Sequence, residues 1–159
     1  MTNQTSAKAA FSVSDKNQKQ LLAIARQSIE HYLKNGSEKT FQSADTEMKT
    51  PAAVFVTLTQ GGNLRGCIGT LAPQDPLHLA VARLAVEAAV HDDRFAPLTV
   101  EELARTHIEI SVLSPMERAK SPDDIKEKIH GVVVRRGHNQ GLFLPQVWEH
   151  FSSKEDFMN

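Results

Sequence analysis

A chain of 159 residues, 40% hydrophobic and 23% charged, is long enough to bury a core of its own. With a net charge of -1 and a pI of about 6.7, it has no global field to hold a polyanion, so nucleic acid is not an expected partner. A single cysteine excludes an intrachain disulfide or a thiolate-rich metal centre, and no run approaches the roughly eighteen unbroken apolar residues of a membrane span.

Residues 1–14, rich in Ser, Thr, Ala, Asn and Gln and lacking an apolar signal core, read as a disordered N-terminus. Residues 15–159 then form a single domain, soluble and suited to a reducing, cytoplasmic compartment. From Asp15 to Lys34 the apolar residues Leu21, Leu22, Ala25, Ile29, Tyr32 and Leu33 recur at helical spacing, with Ser14 placed to cap and Gly36 to stop the helix. Gly36 to Thr50 has no period and reads as a loop.

Val54 to Thr59 is a β-branched run that turns at Gln60-Gly61-Gly62-Asn63 into a second strand, Leu64-Arg65-Gly66-Cys67-Ile68-Gly69-Thr70. Strict alternation puts Leu64, Gly66, Ile68 and Thr70 on one face and Arg65, Cys67, Gly69 and Leu71 on the other. A guanidinium on the face of a thiol favours the nucleophilic thiolate. Two glycines in one strand mark a bulge, a bend or a surface that something approaches closely. The competing reading is a packing cysteine, a small hydrophobe in the core.

Asp75-Pro76 opens a helix with Leu77, Ala80, Val81, Leu84 and Ala88 on its apolar face. The following loop, His91 to Pro97, is charged, and His91-Asp92-Asp93 read as solvated side chains. Thr99 to Glu102 is a capping box that opens a short helix. Ile108, Ile110 and Val112 alternate with His107, Glu109 and Ser111, which sets Glu109 on the polar face of a strand. Ser121-Pro122-Asp123-Asp124 predicts a short helix to about Lys128.

Ile129 to Arg136 reads as a strand with His130, Val132 and Val134 on one side, turning at Gly137 to Gly141 into Leu142-Phe143-Leu144. Pro145 then begins a turn or short helix through Trp148. The two hairpins share one plan, two hairpin-plus-helix units. Ser152 to Asp156 starts a helix with too few apolar residues to bury a face, so the C-terminal helix is expected to be truncated.

The residues that suit chemistry are Cys67 as nucleophile, Arg65 as anion anchor, and Glu109 or His130 as base. A neutral imidazole takes a thiol proton near neutral pH, whereas a carboxylate needs desolvation to do so, which favours His130. A packed His130, and a Glu109 that is solvated or paired with Arg65, are the structural alternatives. Seven histidines show no short metal-ligand spacing, and neither a P-loop nor a dinucleotide fingerprint is present, so no metal or cofactor is expected.

Six segments, Val54 to Leu58, Leu64 to Thr70 with its LRGCIG hexapeptide, Asp93 to Leu98, Ser111 to Pro115, His130 to Val132 and Gly141 to Trp148, resemble the AMMECR domain family. The likeness runs from about Asp15 to Trp148; Ala96 stands where relatives usually carry proline. It implies an α+β fold, an antiparallel sheet with helices packed against it and a cleft beside the LRGCIG strand. It further implies a link to the AmmeMemoRadiSam system, with Memo-like and radical SAM proteins as partners. No reaction comes with the family. Two hypotheses follow. One is an enzyme, or an enzyme component, whose Cys67 acts on an unknown small-molecule substrate held by Arg65, Gly66, Gly69 and Thr70, with His130 and Glu109 moving protons. The alternative is a non-catalytic adaptor that recognises those partners through the apolar run Leu142 to Trp148.

Overall fold

Alanine-rich sequence explains the central element of the fold. Helix α3, Leu77–Val90, buries ten of its residues, among them Ala80, Ala82, Ala85, Ala88 and Ala89. Such small side chains let it lie between strands on one side and helix α1, Asp15–Asn35, on the other. This is a computed structural model describing residues 12–151 and 153–158. Disorder expected before residue 12 lies outside those residues; Val13 packs against the core.

The chain divides into two compact units, Met1–Pro115 and Met116–Asn159. In the first, α1 turns Leu21, Ala25, Ser28 and Ile29 inward and stops at Gly36, whose φ of 68° is the left-handed cap that glycine adopts without strain. Ser14 does not cap α1. Its N–H and hydroxyl donate to Glu47 of α2, Thr46–Lys49, a turn of helix that the aperiodic sequence concealed.

Strands β1, Ala53–Gln60, and β2, Asn63–Thr70, form the predicted hairpin, and β3, His107–Leu113, pairs with the other edge of β1. All pairings are antiparallel. Val54, Val56 and Leu58 are fully buried on the face that meets α3. The capping box of Thr99 and Glu102 opens α4, Val100–Leu103, as its sequence predicts.

The second unit holds a separate two-stranded sheet, β4, Val132–Arg136, with β5, Asn139–Phe143. The second strand starts three residues earlier than its apolar run, because Gly137 at φ 60° closes a tighter turn. Ile125 and Trp148 form its small core, with Val132, Phe143 and Val147 against them. Ser121 caps only a 3-10 turn, Pro122–Asp124, a second 3-10 segment spans Pro145–His150, and α5 covers Lys154–Met158. The fold is α+β, and among the described residues no helix is long and apolar enough to cross a membrane.

Candidate functional site

Register decides what stands beside Cys67. Thr57 of β1 pairs with Cys67 on one side and with Glu109 of β3 on the other, so the three side chains form one row across the sheet. This row lies on the face opposite Val56 and Leu58, away from α3. Cys67 is partly exposed as a residue, and its Sγ lies 3.2 Å from the Thr57 hydroxyl.

That contact follows from the backbone. Both polar groups of Cys67 point away from β1: its N–H donates to Asp92 Oδ2 at 2.9 Å, and its carbonyl accepts from Arg94 Nη2 at 3.2 Å. Cys67 and Thr57 are therefore a non-hydrogen-bonded pair, the kind whose side chains stand closest. Asp92 and Arg94 serve the outer edge of β2 as a neighbouring strand would.

Their placement comes from the end of α3. His91 caps the helix with its N–H on Glu87, and the next residue drops onto the strand edge. Leu98 N–H on the Ala89 carbonyl ties back the far end of the loop. Asp92 is buried, not solvated as the sequence suggested, and it accepts from Arg94 Nε at 2.9 Å and Nη2 at 2.7 Å. The Arg94 guanidinium, with the Cys67 and Arg94 backbone N–H groups, holds the Asp92 carboxyl down at about 2 against the cost of burial. Arg94 is held above its ordinary range by Asp92 first, with smaller contributions from Cys67 and Asp93.

Arg65 does something else. It sits at a bulge, where Leu58 opposes Gly66 but Thr59 opposes Leu64. The alternation read from the sequence breaks there, so Leu64 joins the face of Cys67 and is exposed. Arg65 Nε and Nη2 donate to the two Glu102 oxygens at 3.3 and 3.1 Å. That bidentate pair lowers the Glu102 carboxyl, with help from the Thr99 N–H.

The glycines answer to the chain itself. A Cβ on Gly66 would meet the Ala88 carbonyl oxygen at 2.1 Å, and one on Gly69 would meet the Phe55 ring at 2.2 Å. The groups that approach them are α3 at Gly66 and the neighbouring strand β1 at Gly69. Thr70 turns its hydroxyl locally, donating to the Ala72 carbonyl and accepting from the Ala72 N–H.

His130 belongs to the second unit. Its Nδ1 accepts the Lys126 N–H at 3.1 Å, so a neutral ring carries its proton on Nε2, and its basic nitrogen is already engaged. Its carbonyl accepts from the buried Trp148 Nε1 at 2.7 Å. Sequence reasoning missed Asp92 and Arg94 as a pair. Their D-x-R spacing, one residue past a helix, was the available signal.

Comparison with known proteins bears on most of the chain. The AMMECR1 family model matches residues 22–159. A protein of Methanothermobacter thermautotrophicus is 42% identical over 135 residues, covering 80% of this chain and 70% of its own length. One of Methanosarcina acetivorans is 38% identical over 133 residues, covering 78% of this chain and 67% of its own. The crystal structure of the uncharacterised protein PH0010 from Pyrococcus horikoshii superposes with a TM-score of 0.85 at 36% identity, over 92% of this chain and 78% of that one.

Proposed function

This chain belongs to the AMMECR1 family, and from that premise we propose that it is an enzyme, or the substrate-handling component of one, built around Cys67. The row Cys67–Thr57–Glu109 carries this reading, because it sets the thiol of a partly exposed residue, a hydroxyl and a carboxylate side by side on one sheet face. Cys67 as thiolate engages an electrophilic centre of a small substrate. Its proton passes toward Glu109, with the Thr57 hydroxyl 3.2 Å from the sulfur on that path. Glu109 stands in this row, whereas the basic nitrogen of His130 is taken by the Lys126 N–H.

On the family resemblance alone, we also propose that the protein shares a pathway with Memo-like and radical SAM proteins. The adaptor alternative draws less support: Trp148 is buried and Leu142, Phe143 and Leu144 are only partly exposed, so the apolar run serves a core. Metabolite profiles of a strain lacking the protein, complemented with wild type or Cys67→Ser, test the proposal. Wild type should restore the profile and Cys67→Ser, at equal protein level, should not. Full restoration by Cys67→Ser would rule out a thiol-dependent reaction.

A further inference from the structure

We propose that Arg94 is the anion-binding residue of the Cys67 site, and that buried Asp92 is the positioning residue that aims it. The site then takes small substrates bearing an oxyanion, a carboxylate or a phosphate, next to their reactive centre. This rests on the reading of Cys67 given above.

Three of the Arg94 donors are accounted for: Nε and Nη2 on Asp92, and Nη2 again on the Cys67 carbonyl. Nη1 has no partner among the described residues, and the side chain is 54% exposed while Asp92 is 3% exposed. The guanidinium is thus fixed from behind by a saturated carboxylate, with one edge left open to solvent. A fixed edge loses little freedom when it binds an oxyanion. It also lies near the thiol: Nη2 is 3.2 Å from the Cys67 oxygen, and bond geometry within one residue keeps that oxygen within about 5 Å of its own sulfur. The charge therefore stands within about 8 Å of the reactive atom, about one screening length at physiological salt.

Arg65 does not fill this role. Its side chain is 15% exposed and its fork is closed on Glu102. Arg94 also packs against Phe95, with its Cζ 5.5 Å from the ring centroid, which further limits its motion.

Cys67 is the single cysteine, so alkylation reports on it alone. The test is the rate with iodoacetate divided by the rate with iodoacetamide, two probes that differ by a carboxylate. Relative to wild type, Arg94→Gln should lower this ratio about two- to fourfold, as a screened charge at this range allows. Arg94→Lys should keep most of the ratio, which covers the case where the glutamine variant folds poorly. Asp92→Asn loosens Arg94 and also removes a carboxylate beside the Cys67 N–H, a loss of negative charge that by itself would raise the ratio, so a lower ratio reports lost aim and a ratio that holds or rises overturns the positioning role. Arg83→Gln, a charge change on α3 away from this edge, is the control and should leave the ratio unchanged. Acetate or inorganic phosphate should protect wild type but not Arg94→Gln, and the better protector identifies the oxyanion. An equal ratio in wild type and Arg94→Gln, or protection by neither anion, overturns the proposal while Cys67 stays a reactive thiol. A Cys67 inert to both probes until unfolding overturns the thiol reading, and this proposal with it.

Discussion

Two arginine–carboxylate pairs border Cys67 and use the same forked geometry for opposite ends. Between Arg65 and Glu102 the exposures are 15% and 22%, and the carboxylate also closes the capping box of α4. Between Arg94 and Asp92 they are 54% and 3%, and the carboxylate has every acceptor turned inward. The first pair is a clip joining β2 to a helix start. In the second, a sunk carboxylate fixes a cation at the surface. How unevenly a pair is buried, more than the fact that it exists, separates an ion pair that holds elements together from one that presents a charge.

The contrast predicts unequal costs. Asp92→Ala strands the Cys67 N–H and the Arg94 fork together, and should cost about 3 kcal/mol in urea unfolding. A loss below about 1 kcal/mol would mean the two pairs are equivalent. Gly66→Ala strikes the same clamp from the helix side. Its methyl group would meet the backbone oxygen of Ala88, two residues before the end of α3, and backbone cannot swing aside. Moving α3 should cost about 2 kcal/mol, and should also raise the hydrogen-exchange rate of the Cys67 amide, since Asp92 follows α3 directly.

How much of this was legible beforehand depends on the range of the interaction. The glycine cap at Gly36, the Thr99–Glu102 box and the alternation of β3 are local, and each was read correctly from its own residues. Alternation alone put Cys67 and Glu109 on polar-facing positions; it could not say that both pair with Thr57, because register is set between strands. The bulge at Arg65 was invisible for the same reason, and with it the move of Leu64 to the other face. Asp92 read as solvated because its partners are a strand edge 25 residues back and an arginine whose role appears only on that edge. Helix α2 has one buried apolar residue, Met48, too few to make a period.

Acid separates the pairs by titration. Asp92 sits at about 2 when folded against an ordinary 3.8, so its contribution is complete above about pH 4 and is lost as the pH falls toward 2. The size is roughly 2 kcal/mol, read as the fall in unfolding free energy between pH 5 and pH 2. Removing the group should remove its share, so Asp92→Asn should show a shallower acid slope than wild type. If the two slopes coincide, Asp92 does not carry the acid sensitivity.

The smallest effect should come from Glu102→Gln. The amide oxygen can still accept from the Thr99 N–H and from Arg65 Nη2, but the amide nitrogen cannot accept from Arg65 Nε, so the charge and one bond of the fork disappear from a partly exposed pair. Pairs of that exposure contribute about 1 kcal/mol at most, and salt screens them. Glu102→Gln should therefore destabilise by about 1 kcal/mol or less, and the difference from wild type should shrink at 1 M salt. Its effect on Cys67 is more telling than its size. A clip four residues of α4 long does not touch the strand edge where Asp92 and Arg94 meet the Cys67 backbone, so the alkylation rate should stay at the wild-type value. A rate that shifts as far in Glu102→Gln as in Asp92→Asn would show the two pairs acting as one network, and the division of labour between them would have to be given up.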